Sequence, residues 1–155
     1  MKVLFVCLGN ICRSPLAEAI FKHKLRKSPL GIDVFADSCG TADYHIGELP
    51  DHRTRRNAIR NGVEINHRGR QLQPEDLERF DYILAMDKSN VQNIMQLENA
   101  SLFQHKIHLL RSFDPDPGDE VPDPYYGGEE GFQSVFEMLD RSLDHFITKI
   151  DRELS

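Results

Sequence analysis

Two hydrophobic periods alternate along the chain. Val3-Leu4-Phe5-Val6 is an unbroken apolar run of β-branched and aromatic residues, the composition of a parallel strand buried on both faces. Beyond it, Leu16, Ala17, Ile20, Phe21 and Leu25 recur at three- and four-residue intervals, with Glu18, Lys22, Lys24 and Arg26 between them. This spacing predicts an amphipathic helix laid against a sheet. Pro29 and Gly31 close that helix, and Ile32–Ser38 alternates as a second strand. His52 to Asn61 predicts a helix ended by Gly62, with Arg53, Arg55, Arg56 and Arg60 as an exposed basic face. Pro74-Glu75-Asp76-Leu77 starts a short helix, with proline in the first turn and acids near its positive end. Asp81–Met86 is the clearest later strand, Asp87-Lys88-Ser89-Asn90 opens a helix running through Ile94 and Leu97, and Lys106–Leu110 is a fourth short strand. Phe113–Gly128 is a long, acidic, proline-rich loop, and from Gly131 the residues Phe132, Val135, Phe136, Leu139, Leu143, Phe146, Ile147 and Ile150 mark a long terminal helix.

Strands and helices in alternation predict the α/β class, with a parallel sheet whose ligands bind beyond the carboxyl ends of its strands. At 155 residues one domain, 1–155, is expected. A net charge of −6 argues against nucleic acid as a partner, because binding its backbone needs a clustered excess of Lys and Arg. No apolar stretch is long enough for a signal peptide or a membrane span, and the three cysteines form no disulfide framework. The expectation is a cytoplasmic protein without a membrane partner. The seven histidines show no metal-ligand spacing, and the G-x-G-x-x-G spacing of dinucleotide folds is absent, so neither metal nor cofactor is expected.

The chemistry concentrates at the end of the first strand, in Cys7-Leu8-Gly9-Asn10-Ile11-Cys12-Arg13-Ser14-Pro15. Gly9 and Asn10 tolerate a left-handed backbone at low cost, so the chain can curl and aim successive N–H groups at one point. Ser14-Pro15 reads as a helix start with Ser14 as the cap, which adds the positive end of a helix dipole. Loop amides, helix terminus, the Ser14 hydroxyl and the Arg13 guanidinium therefore converge on one thiol, surroundings that favour the Cys7 thiolate. The planar fork of Arg13 suits two oxygens of a tetrahedral oxyanion, so the expected ligand is phosphate or a close mimic. A thiolate attacking phosphorus needs a proton donor for the departing oxygen. Asp114, Asp116, Asp119, Glu120 and Asp123 are all candidates in the long acidic loop, and composition does not separate them.

A cysteine, five residues and Arg-Ser after a strand resembles the signature loop of the low-molecular-weight protein tyrosine phosphatases. Asp123-Pro124-Tyr125-Tyr126-Gly127 resembles that family's second signature, in which the aspartate is the general acid. The resemblance implies a flavodoxin-like fold, a four-stranded parallel sheet with helices on both faces. It implies Cys7, Arg13 and Asp123 as the catalytic set and Leu8, Gly9, Asn10, Ile11, Cys12, Arg13 and Ser14 as the phosphate cradle. Asn10, Ser14 and His67 would support the loop, Arg70 falls in the same matching stretch, and Asp87 matches the family's Met-Asp pattern near the pocket. The implied activity is hydrolysis of phosphotyrosine and other aryl phosphates through a cysteinyl-phosphate, without metal.

Leu8, Ile11, Tyr44 and Tyr125 are expected at the substrate rim, where apolar and aromatic walls suit a flat ring. His45 beside Tyr44 departs from the family's pattern. Cys12, five residues after Cys7, is placed to form a reversible disulfide that shields the nucleophile from over-oxidation, whereas Cys39 is expected to be a buried structural residue. Three rival readings stand beside the tyrosine enzyme. Arsenate reductases of this fold relay oxidation through further cysteines, and only Cys39 remains here outside the loop. Protein-arginine phosphatases resemble a version with threonine where this chain has Ile11. A non-catalytic phosphate-binding redox module would keep the cradle without turnover. The expected partners are phosphotyrosine proteins or small aryl phosphates, with the chain as a monomer or weakly self-associating.

Overall fold

β1 (Lys2–Cys7) is the centre of the molecule in the computed structural model, which describes residues 1–155. It pairs in parallel with β2 (Phe35–Gly40) on one side and β3 (Tyr82–Ala85) on the other, and β4 (Ile107–Leu109) pairs with β3. The order β2-β1-β3-β4 makes one four-stranded sheet with every pairing parallel. The unbroken apolar run follows from this position. Val3, Phe5 and Cys7 face one core and Leu4 and Val6 another, and all five are buried.

The first core lies under α1 (Arg13–Leu25) and α5 (Glu129–Leu154), where Phe5 and Phe21 meet edge to face at 5.5 Å and Phe146 packs on Phe21, Tyr82 and Phe113. The second is roofed by α3 (Pro74–Arg79) and α4 (Lys88–Met95), which bring in Leu77 and Ile94. Helices therefore cover both faces, the arrangement a parallel sheet requires. α2 (His52–Arg60) stands outside the sheet and packs on α5. No helix is long and apolar enough to cross a membrane.

Two expectations are corrected. Strand β2 begins at Phe35 and not at Ile32, because Pro29–Ile32 forms a 3-10 turn in which the Ser28 hydroxyl accepts the Leu30 N–H, leaving Ile32 95% exposed. Helix α1 is not amphipathic over its first turns: Arg13 through Phe21 are all buried, Glu18 included, since sheet, α5 and loops surround that half of the helix. Its polar face appears only towards Leu25.

Candidate active site

The loop joining β1 to α1 turns on one left-handed residue. Asn10 has φ +57, whereas Gly9 has an ordinary negative φ. Gly9 serves close approach instead: a Cβ there would lie 3.2 Å from the His45 ring. Gly40, at the end of β2, is needed for the same reason, because a Cβ would sit 2.7 Å from the Leu8 carbonyl and 3.1 Å from the Asn10 nitrogen. The Cys7–Ser14 loop thus rests directly on the neighbouring strand.

The curl brings the Asn10 N–H to 3.3 Å from the Cys7 sulfur. The Gly9, Ile11 and Cys12 N–H groups make no hydrogen bond within the chain, so they are free to face an anion. Helix α1 starts at Arg13, with Cys12 in the cap position and no side-chain cap. Ser14 therefore does not cap the helix. Its hydroxyl lies 2.9 Å from Cys7 Sγ and accepts from Asn10 Nδ2 at 2.8 Å.

Every polar atom of the Asn10 side chain is engaged. Nδ2 also donates to the Ser38 hydroxyl, and Oδ1 accepts from the Arg70 N–H at 3.0 Å and from His67 Nε2 at 2.7 Å. Because that oxygen can only accept, Nε2 is a protonated nitrogen of His67. Behind it stands Glu18, which sequence reading placed on the polar face of α1. It is buried, accepts from Ser38 and Lys22 at 2.7 and 2.6 Å, and faces His67 Nδ1 at 3.3 Å. Burial lowers the proton affinity of His67, and the Glu18 and Asp37 carboxylates oppose it. Glu18, Asp37 and His67 bring ligand-type atoms within 4.8 Å of one another. Each is already bonded to Lys22, Ser38, Arg70 or Asn10, which marks the cluster as a brace for the loop.

Arg13 is 3% exposed, and its Nη1 donates to Asp87 Oδ2 at 2.6 Å and to the Val121 carbonyl at 3.0 Å. Those two bonds use both Nη1 hydrogens and leave Nε and Nη2 for a ligand. Burial works against the guanidinium charge, but Cys7, Asp87 and Asp123 outweigh it and hold Arg13 more firmly protonated than free arginine. Asp87 is held in turn as the cap of α4, where Oδ1 accepts the Asn90 N–H. The Val121 carbonyl is a functional group that no sequence motif announced.

Of the five acids in the long loop, geometry selects one. Asp114 has a fully buried side chain locked between Arg111 and Arg141; burial resists ionisation, but Arg141, the Asp116 N–H and Arg111 prevail and bring its pKa down to about 2. Asp116 pairs with Arg141, Asp119 pairs with Lys88, and Glu120 accepts the Lys88 N–H. Asp123 alone lines the cavity over Cys7. Its Oδ2 is 3.8 Å from Arg13 Nη2, while Oδ1 accepts the Tyr125 N–H.

That cavity, about 270 Å³, has Cys7, Cys12 and Arg13 at its floor and Leu8, Ile11, Tyr44 and Tyr125 around it, with His45 and Tyr126 completing the wall. The four rim residues expected from sequence are thus assembled; His45 and Tyr126 were not among them. All three cysteines are free thiols. Burial pushes the Cys12 thiol up to about 12 and Cys39 well above the ordinary range.

The family model for low molecular weight phosphotyrosine protein phosphatases matches residues 2–155. The chain is 40% identical over 148 residues to a low molecular weight phosphotyrosine protein phosphatase of Homo sapiens, covering 95% of this chain and 94% of that protein. It is similar to a protein tyrosine phosphatase from Entamoeba histolytica solved with Hepes in the active site, with TM-score 0.94, 38% identity and coverage of 100% and 99% of the two chains. A Drosophila arginine phosphatase superposes with TM-score 0.89 at 37% identity, covering 97% of this chain and 98% of that one.

Proposed function

The chain belongs to the low molecular weight phosphotyrosine protein phosphatase family, and on that premise we propose that it hydrolyses phosphotyrosine and other aryl phosphates in two steps at Cys7. The observation that carries this reading is the placement of the Cys7 sulfur, the free edge of Arg13 and Asp123 on the walls of one cavity.

In the first step the Cys7 thiolate attacks phosphorus, the P–O bond to the phenol breaks, and Asp123 gives its proton to the leaving oxygen. Arg13 Nε and Nη2 and the loop amides hold the equatorial oxygens, whose charge is neutralised by the chain's own donors. In the second step water attacks the cysteinyl-phosphate, Asp123 takes the proton, and the sulfur leaves as thiolate with the Ser14 hydroxyl donating to it. Asn10, braced by His67 and Ser38, keeps the amides aimed.

The substrate class follows from the walls. Leu8, Ile11, Tyr44 and Tyr125 offer apolar surface to a flat ring, and an apolar Ile11 favours aryl phosphate over phosphoarginine. The partners are then phosphotyrosine proteins or small aryl phosphates, in a reducing cytoplasm that keeps the thiolate free. Burial keeps Cys12 a thiol, so it leaves the attack on phosphorus to Cys7. Once peroxide has converted Cys7 to a sulfenic acid, the Cys12 thiol can displace water and form a disulfide.

Turnover of phosphotyrosine, phosphoarginine and phosphoserine peptides, without added metal, tests the reading. The tyrosine substrate is expected to dominate. Preferential hydrolysis of phosphoarginine would assign the chain to the arginine enzymes, and binding without hydrolysis would make it a phosphate-binding module.

A further inference from the structure

A second cavity, also about 270 Å³, opens between α2 and the start of α5. Its walls carry Arg53, Arg56 and Arg60 from α2, the turn at Gly127 and Gly128, the Glu129 carboxylate and the Phe132 ring. Arg53 lines this cavity and touches Tyr125, which lines the catalytic one. Its guanidinium lies 5.2 Å from the Tyr125 ring centre on one side and 4.8 Å from that of Phe132 on the other. Asp51 holds it through Nε and Nη2, and the Asp51 N–H itself donates to the Ile11 carbonyl at 2.8 Å. The helix bearing the arginines is therefore tied to the phosphate loop, which sets the second cavity at a constant offset from Cys7.

The charges there are unequal. Arg53 is balanced by Asp51. Arg60 reaches only Glu129, at 3.5 Å with both side chains more than half exposed, a contact that solvent and salt screen heavily. Arg56 is exposed, and its side chain makes no hydrogen bond or ion pair within the chain. The Glu129 and Glu130 N–H groups, in the first turn of the 26-residue helix α5, make no hydrogen bond either, but the carboxylates of the same two residues offset that positive helix end, so the uncompensated charge at the cavity is that of Arg56. A solvated helix face needs no cavity. This basic face borders one, beside the catalytic site of a chain whose net charge is −6.

We propose that this cavity is a subsite for a second anion on the peptide substrate, a carboxylate or phosphorylated side chain flanking the phosphotyrosine, with Arg56 and Arg60 as the residues that set the preference. The proposal deepens the phosphatase reading and rests on it. Arginine suits the task because its planar fork accepts carboxylate and phosphate alike, and the incoming anion displaces the exposed Glu129 from Arg60.

The test compares three phosphotyrosine peptides that differ only in the flanking residues, Gln, Glu or phosphoserine, together with para-nitrophenyl phosphate. They are assayed on the wild type, the Arg56→Ala/Arg60→Ala double variant and Arg56→Glu. The wild type is expected to show a KM about tenfold lower for the two anionic peptides than for the Gln peptide, with kcat unchanged, and the gap is expected to shrink as salt rises. In the double variant the three peptides converge while para-nitrophenyl phosphate is turned over as before, and Arg56→Glu reverses the order. A gain confined to phosphoserine narrows the ligand to phosphate; a gain with both makes it any anion. Equal KM values in the wild type, or a preference that survives in the double variant, would overturn the subsite while leaving the phosphatase intact. Failure of the wild type on para-nitrophenyl phosphate would instead sink the phosphatase reading and the subsite with it.

Discussion

The Ser14 hydroxyl stands 2.9 Å from the Cys7 sulfur and takes a hydrogen bond from Asn10 Nδ2 on its other side. That incoming bond occupies a lone pair of the hydroxyl oxygen and leaves its one proton for the sulfur or for the Cys39 carbonyl, which is farther away at 3.3 Å. With Cys7 as the thiolate of the proposed mechanism, which can only accept, Ser14 is its donor.

Its removal should be felt most when the sulfur leaves. A hydrogen bond to a charged group contributes about 1.5–3 kcal/mol, so Ser14→Ala is expected to lower kcat by roughly 10- to 100-fold. The loss falls on breakdown of the cysteinyl-phosphate. Stopped-flow release of an aryl alcohol checks this: the variant should show a burst followed by a slow steady state. An equal fall in both phases would show that Ser14 only shapes the loop.

In the proposed mechanism Asp123 contributes according to how poor the leaving group is. Asp123→Asn keeps the shape and removes the proton, and it should cost about 10²- to 10⁴-fold in kcat on phosphotyrosine. The loss should be smaller for an aryl phosphate whose phenol is acidic, because such an oxygen departs without protonation. A series of phenols of graded acidity measures the slope. If the variant and wild-type slopes are the same, Asp123 is not the acid.

The acid loop is held from within by Arg111, which is buried and donates to the Asp114 carboxylate and to the carbonyls of Pro117 and Glu120. Gly118, at φ +116, lets the chain pass so close that a Cβ would lie 2.5 Å from Arg111 Nη1. Asp114, fully buried and with a pKa brought down to about 2, is the counter-charge. A carboxylate lowered in this way stabilises the folded state above its unfolded pKa near 4. That contribution, about 2 kcal/mol, is lost as pH falls from about 4 through about 2. Urea unfolding of the wild type and Asp114→Asn should therefore differ clearly at pH 7 and converge towards pH 2. A difference that does not change with pH would assign the effect to packing.

What was legible in the sequence is what local chemistry writes into adjacent residues. The buried strand, the loop from Cys7 to Ser14, the Asp-Pro-Tyr-Tyr segment and the alternation of elements all carry such signals, and the fold class followed from them. Groups that act across the fold carry none. Glu18 sits among charged residues at helical spacing and reads as surface; only the approach of β2 and the His67 loop buries it. The Val121 carbonyl is backbone and leaves no mark in composition. Arg111 looks like any arginine after a strand until the acid loop folds over it. Ser14 misled in another way, because a serine before proline has the signature of a cap, and here the tertiary demand of the sulfur prevailed over the local preference.

In the proposed mechanism the phosphoryl group passes through the Cys7 sulfur. Acid quenching of the wild type and Asp123→Ala during turnover of a phosphorus-labelled aryl phosphate, followed by peptide mapping, tests it most directly. The label is expected on the peptide containing Cys7 and absent from Cys7→Ser, which should also be inactive. Label on a histidine, or full turnover by Cys7→Ser, would rule out a cysteinyl-phosphate.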